Sequence, residues 1–250
     1  DNILQMLDYI HDENLDSHIS VKLTQLGLEI DEQFCLENMK KIVARADKYD
    51  IFVNIDMEKY IHYEPTLKIL QELRKEHENV GTVLQTYLRR TQDDLEALKD
   101  VRLRIVKGAY KESPDIAFQT QEEIDRNYIE VVKKRLFGDA FTSIATHDHR
   151  IINEIKQFVN ENKIDRDKFE FQMLYGFRTE MQYALVEEGY RFCTYIPFGD
   201  DWFGYFMRRL AERPQNINLI VKDALYNEDQ TLKKGPIITG IAGIATIAFL

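Results

Sequence analysis

Four residues in the segment "DWFGYFMRRLAERPQN" (201–216) are spaced to act together. On a helix, Tyr205, Arg208, Arg209 and Glu212 fall at i, i+3, i+4 and i+7 and share one stripe. Phe203, Phe206, Met207 and Leu210 form the neighbouring, core-facing stripe. Two adjacent guanidinium groups suit a carboxylate, which they grip in fork geometry. A solvated row of i,i+4 ion pairs would have the same spacing; the aromatic neighbours favour the ligand-binding reading. A second set of chemical groups recurs at the ends of short apolar runs: Lys22, Asp56, Gln85, Lys107 with Gly108, Thr146 with His147, Leu174 with Tyr175, and Tyr195. Lys22 would add a third cation to the two arginines, and Tyr195 and Tyr205 a hydroxyl-tipped apolar wall. In "RIVKGAY" (104–110), Arg104 shares a face with Val106 and Gly108 by the period of two. A guanidinium pointing inward needs an anionic or electron-rich partner, either Asp56 or a bound cofactor. Gly108 would let a flat or phosphorylated ligand approach the backbone. "THDH" (146–149) has a His-x-His spacing, but His11, His18, His62 and His77 lie away from the C-terminal strand ends. No metal site is expected there. His149 is expected to open the next helix, leaving Thr146, His147 and Asp148 near the site.

Positioning these groups requires an alternation of strands and helices. The strand patterns are 18–23, 51–57, 81–87, 101–108, 141–147, 169–174 and 191–197; helical patterns occupy 31–49, 64–78, 91–100, 122–137, 148–162, 179–188 and 201–212. Asp31 reads as a helix cap, and "TQDD" (91–94) as a capping box with Asp in place of Glu. Residues 2–14 read as a helix ahead of the first strand. Seven βα units are one short of a (β/α)8 barrel, so the first strand is expected upstream of residue 1. A doubly wound sheet is the alternative, but no G-x-G-x-x-G follows any strand. In a barrel, the C-terminal strand ends carry the chemistry, which is where the polar residues recur.

Composition narrows the classes of partner. The 250 residues are 44% hydrophobic with a net charge of −10, which supplies a core but no surface for neutralising phosphates, so nucleic acid is excluded. Two distant cysteines, Cys35 and Cys193, argue for a reducing compartment, hence a cytoplasmic protein. The chain does not open with methionine or a signal-like segment, and is expected to begin partway through a longer protein.

The motifs "SVKLTQLGL", "NIDMEKY", "LQTYLRRT", "RIVKGAYKE", "ATHDHRII", "FEFQMLYG" and "YFMRRLAERPQN" occur in this order between about residues 20 and 220. Together they closely resemble the proline dehydrogenase family in its bacterial monofunctional form. The resemblance implies a distorted (βα)8 TIM-type barrel of the α/β class, here over residues 1–225 without its first strand, holding non-covalent FAD at its C-terminal mouth. It implies oxidation of L-proline to Δ1-pyrroline-5-carboxylate by hydride transfer from C5 to flavin N5, with electrons passing to a membrane quinone. Carried over residue by residue, it makes Asp56 and Arg104 the catalytic pair. Lys22, Arg208 and Arg209 would hold the carboxylate, and Ala109, Tyr110, Leu174, Tyr195 and Tyr205 would enclose the pyrrolidine ring. Met57, Gln85, Arg104, Val106, Lys107, Gly108, Ala109, Thr146, His147 and Glu212 would contact or lie near FAD. The sequence departs from some relatives at Lys111, at "FQTQEEID" (118–125) and at Asp148, positions that bear on the adenine and pyrophosphate end of the cofactor.

Two other readings stand beside this one: a flavin-free barrel hydrolase or aldolase acting on a small anionic substrate, and an inactive fragment that only binds a partner. The intact set Lys22, Asp56, Arg104, Arg208 and Arg209 argues against decay. Residues 226–250 form an apolar tail in which the fifteen residues from Pro236 to Leu250 carry no charge. As a helix this segment would reach about 22 Å, short of the hydrocarbon core of a bilayer. It is read either as a peripheral contact with the inner face of the membrane, assisted by Lys233 and Lys234, or as a segment docked on the barrel.

Overall fold

The computed structural model describes residues 2–197. Its strands are β1 (Ile19–Lys22), β2 (Val53–Asp56), β3 (Val80–Gln85), β4 (Leu103–Val106), β5 (Thr142–Ala145), β6 (Phe169–Leu174) and β7 (Phe192–Tyr195). The helices are α1 (Asn2–Asp12), α2 (Glu32–Lys48), α3 (Tyr63–Leu73), α4 (Thr91–Ala97), α5 (Gln121–Leu136), α6 (His149–Glu161) and α7 (Thr179–Glu187). The sheet order is β1-β2-β3-β4-β5-β6-β7, with parallel pairing recorded from β1 to β6. Consecutive parallel neighbours joined by helices are the order of a (β/α) barrel, with seven of its strands among the described residues.

The chain divides into two compact units, residues 1–172 with 189–193, and 173–188 with 194–250. In the first unit, the two faces of the strands have different chemistry. Ile19, Val21, Val53, Ile55, Leu103, Ile105, Ile144, Phe169 and Phe171 are buried, and so are helix residues such as Leu67, Leu70, Val131, Val132, Ile151 and Ile155. This apolar set forms the core, by the usual division of a strand's two faces. The alternate residues are polar: Ser20 and Lys22, Asn54 and Asp56, Arg102 and Arg104, Glu170 and Gln172. Arg104 on β4 donates to Asp56 on β2 (2.9 Å), Ser20 on β1 (2.8 Å) and Gln172 on β6 (2.6 Å). None of these strands is adjacent to β4, so the sheet must curl to bring them onto one guanidinium.

Several start signals behave as expected. The Asp31 side chain accepts from Phe34 N (2.7 Å) and caps α2, an arrangement typically contributing about 1 kcal/mol. His149 opens α6, with Asp148 as its N-cap. "TQDD" does not form the expected capping box: the N-cap of α4 is Arg90, with no side-chain cap bond. Thr91 instead turns its hydroxyl inward to the carbonyls of Gln85 and Leu88 (2.9 and 2.6 Å). A complete capping box occurs at α5, where Thr120 and Glu123 satisfy each other's backbone N–H groups. α3 ends at Leu73, short of the expected 78, because residues 74–77 bond in tight turns back onto Leu70, Glu72 and Leu73.

The described part of the second unit is small. α7 follows Arg178, which has a left-handed backbone (φ 52°). The Gln182 amide donates to Phe177 O (2.6 Å) and Leu174 O (3.3 Å), and its oxygen accepts from Thr194 Oγ1 (3.3 Å). Leu174 and Tyr195 end their strands in this unit, both half-buried. No described helix is long and apolar enough to cross a membrane.

Candidate active site

Where β1 and β2 end, the structure brings their last residues, Lys22 and Asp56, together with Arg104, the second residue of β4. Lys22 lies directly beside Asp56 in the strand register, and its Nζ pairs with Asp56 Oδ2. Asp56 Oδ1 accepts from Arg104 Nη1 (2.9 Å) and Asn54 Nδ2 (3.2 Å). One carboxylate thus serves two cations. Asp56 is the anionic partner that an inward guanidinium at position 104 needs.

Beyond this group, β3 and β4 continue side by side past their formal ends: Thr86 N donates to Val106 O and Tyr87 N to Lys107 O, both at 2.8 Å. Gly108 follows with φ +110°, and a Cβ there would overlap the Tyr87 ring, so only glycine fits. Met57 is buried, and its carbonyl, with that of Glu58, accepts from Gln85 Nε2 at 3.3 Å. Gln85 Oε1 and Thr86 Oγ1 are buried without a hydrogen-bond partner among the described residues. Buried polar atoms are nearly always satisfied, so these two fit a polar ligand that brings its own donors. With Gly108 allowing close approach, the residues fit the ring and ribityl portions of a flavin, which carry N–H and O–H donors beside flat apolar surface.

Lys107, expected at the cofactor, pairs with two carboxylates. Its Nζ lies 2.6 Å from Asp125 and 3.3 Å from Asp148, and Arg150 also pairs with Asp125 (2.7 Å). The Asp148 carboxyl sits below the usual carboxylate range: burial pushes it up, but the charge and hydrogen bond of Lys107 outweigh that. The acidic stretch 118–125 therefore has one residue, Asp125, that faces inward and binds the basic groups of this corner. Thr146 is buried; its N–H donates to Gln172 O and its Oγ1 accepts from Asp148 N, both at 3.2 Å. His147, Ala109 and Tyr110 are half-buried on the loops that follow β5 and β4. Tyr205, Arg208, Arg209 and Glu212 lie outside the described residues, as does the tail 226–250.

Sequence reading missed Ser20, Glu170 and Gln172, all within the Arg104 network. The signal was present: "FEFQML" sets Glu170 and Gln172 two apart on one face of an otherwise apolar strand, as "RLRIV" does Arg102 and Arg104. Near the N-terminal ends of the strands, His18, Glu170 and Cys193 have ligand atoms within 4.8 Å of one another. Glu170 Oε1 there accepts from Ser143 (2.7 Å), Gln172 (2.7 Å) and Arg102 (3.4 Å). A guanidinium already compensates this carboxylate, so the donor set describes an internal ion pair better than a cation site.

Comparisons with known proteins address the chain as a whole. The family model described as proline dehydrogenase matches residues 2–220. Proline dehydrogenase 2 of Bacillus subtilis is 49% identical over 221 residues, covering 88% of this chain and 73% of that protein. A proline dehydrogenase of Deinococcus radiodurans is 40% identical over 232 residues, covering 90% and 75%. Among solved structures, proline utilization A of Bdellovibrio bacteriovorus superposes with a TM-score of 0.76 at 24% identity, over 83% of this chain and 27% of that longer one. The last likeness concerns the fold, a distorted TIM barrel, and this chain spans about a quarter of that protein. On the extent of the family match and the identity to these relatives, this chain belongs to the proline dehydrogenase family.

Proposed function

We propose that this chain is the catalytic barrel of an FAD-dependent proline dehydrogenase, oxidising L-proline to Δ1-pyrroline-5-carboxylate and passing the electrons to a membrane quinone. The observation that carries the reading is the Lys22–Asp56–Arg104 group at the strand ends of a family member. Lys22, with Arg208 and Arg209, holds the substrate carboxylate by charge-assisted bonds, which fixes the ring and presents C5. Ala109, Tyr110, Leu174, Tyr195 and Tyr205 enclose the apolar ring. Asp56 accepts from both Lys22 and Arg104 and so fixes the two cations relative to each other. The substrate amine reacts without its extra proton, so that its lone pair forms the C=N bond as hydride leaves C5. FAD, when bound, would supply the acceptor for that hydride. Met57, Gln85, Val106, Lys107, Gly108, Thr146, His147 and Glu212 would hold it, and Arg104 would stabilise negative charge developing beside the reacting atoms. The quinone acceptor gives the apolar tail a role as a peripheral contact with the inner face of the cell membrane. Co-sedimentation with liposomes, full chain against a version ending at Leu232, tests that part: equal partitioning removes it.

The main test is spectroscopic. Purified protein loaded with FAD is mixed with L-proline without oxygen, and the flavin absorbance is followed. Bleaching that saturates with proline, with one pyrroline carboxylate formed per flavin, is the expected result. Turnover of a small anionic substrate by protein that takes up no FAD would instead establish the flavin-free hydrolase or aldolase.

A further inference from the structure

The polar network does not stop at Arg104. Gln172 (2% exposed) accepts from Arg104 Nε with its Oε1 at 2.6 Å and donates through Nε2 to Glu170 Oε1 at 2.7 Å. Glu170, 7% exposed, also accepts from Ser143 Oγ and Arg102 Nη2. In the strand register Arg104 lies between Val83 and Ser143, Ser143 lies beside Glu170, and Gln172 lies beside Ala145, so the polar groups of β4, β5 and β6 sit in neighbouring rows. An amide is nearly symmetric in shape but not in chemistry. A carboxylate only accepts and a guanidinium only donates. The Gln172 amide can therefore sit one way round: reversal would set oxygen against oxygen at Glu170 and N–H against N–H at Arg104. With Asp56 on Nη1 and Ser20 on Nη2, the Gln172 contact is the third fixed point on the guanidinium and defines its plane.

We propose that Glu170 and Gln172 are positioning residues for Arg104, Glu170 orienting the Gln172 amide and Gln172 holding the guanidinium plane at Nε. The proposal rests on the reading of Arg104 as the group facing the reacting atoms. Three-point support of a charged group at a site where charge develops is what preorganised electrostatic stabilisation requires.

The test uses full-chain protein loaded with FAD, with anaerobic flavin reduction by proline followed from pH 5.5 to 9 in Gln172→Glu and Gln172→Met. The charged or titratable groups around position 172 are Arg104 from β4 and Glu170 from its own strand. Arg102 from β4, Asp56 from β2, His18 before β1 and Cys193 on β7 lie one contact further away. When protonated, the introduced carboxyl reproduces the amide pattern, with a carbonyl toward Arg104 and an O–H toward Glu170. When ionised, it opposes Glu170 directly. Gln172→Glu is thus expected to approach the parent rate at low pH and to fall below it by about tenfold or more as pH rises. The KM for proline should stay within about twofold. Gln172→Met is expected to be slow at every pH with FAD retained. Parent-like reduction by both variants across the range overturns the proposal. If neither variant retains FAD, Glu170→Gln decides: it keeps the shape but loses the acceptor-only constraint. A loss of several-fold in reduction rate at unchanged KM supports the proposal, and an unchanged rate overturns it. Arg104→Lys separates the two levels. If that variant reduces flavin normally, the role of Arg104 itself is wrong; if it is impaired while the 172 variants are normal, only the positioning inference fails.

Discussion

The inner face of the strands carries two ionic clusters, one at each end. At the C-terminal end, Lys22 and Arg104 both pair with the Asp56 carboxylate. At the N-terminal end, Arg102 is matched by Glu170, and its guanidinium lies between the rings of Phe52 and Phe141 at 4.1 and 4.4 Å. The other two groups there are neutral at physiological pH. Burial, aided by Arg102, lowers His18 to about 4, and burial with Glu170 nearby raises the Cys193 thiol to about 11. The C-terminal cluster lies where a barrel gathers its chemistry; the N-terminal one is an internal ion pair in an aromatic setting. Buried charge alone therefore does not identify a site; its place in the barrel does.

The sharpest way to break this comparison is to remove the cation that links the C-terminal cluster to the rest of the network. Arg104→Met removes one of the two cations on Asp56 and takes the guanidinium donor from Gln172 and Ser20. Flavin reduction at saturating proline is expected to fall by roughly 10²–10³-fold, the range seen when a preorganised charge-stabilising donor is lost. Stopped-flow absorbance on FAD-loaded protein measures it, and a loss below about threefold would mean that Arg104 serves the fold and not the reaction.

Lys22→Met probes the cation on β1. Asp56 keeps Arg104 as a partner, while the site loses the ammonium proposed to meet the substrate carboxylate. KM for proline is expected to rise by about 10- to 100-fold, equivalent to one charge-assisted hydrogen bond, with a smaller change in kcat. Arg208→Met and Arg209→Met are expected to raise KM in the same way if both belong to the carboxylate clamp. Steady-state kinetics on the four proteins checks this. An unchanged KM for Lys22→Met would place the substrate carboxylate away from β1.

Much of this organisation is legible in the sequence, and the failures have physical reasons. All seven strands can be found because parallel strands covered by helices read as apolar runs with fixed punctuation. The site residues at strand ends stand out because a barrel puts chemistry there. That Arg104 needs a partner, Asp56 or a bound cofactor, follows from the cost of an unpaired inward charge, and the structure shows Asp56 in that place. What sequence does not supply is direction. Asp125 reads as one more acid in a solvated helix until the fold turns it onto Lys107 and Arg150. Thr91 reads as a helix cap until its hydroxyl is seen facing inward. Glu170 and Gln172 escape notice because a strand of the apolar pattern "FEFQML" draws attention to its phenylalanines, whereas its second face carries the support of Arg104.

The smallest expected effect lies at the other end of the strands, and it appears only in acid. His18 has an ordinary value of 6.5 that the fold lowers to about 4, chiefly by burial and then by the charge of Arg102. The unfolded chain therefore takes up a proton near pH 6.5 that the folded protein refuses until about pH 4. Stability from this residue is intact above pH 6.5, declines as pH falls through the interval, and levels off below about 4, for a total of up to about 3 kcal/mol. His18→Gln removes the titration while keeping a side chain of similar reach. At pH 7 the variant is expected to lie within about 1 kcal/mol of the parent, the scale of the ring's edge contact with Phe52. Near pH 4.5 the variant should become the more stable of the two. Paired denaturant melts at the two pH values measure the crossing. A gap between parent and variant that stays constant with pH would mean that His18 takes its proton as readily in the folded protein as in the unfolded chain. The N-terminal cluster would then gain a positive charge in mild acid, and its description as Arg102 paired with Glu170 beside two neutral groups would hold only at neutral pH.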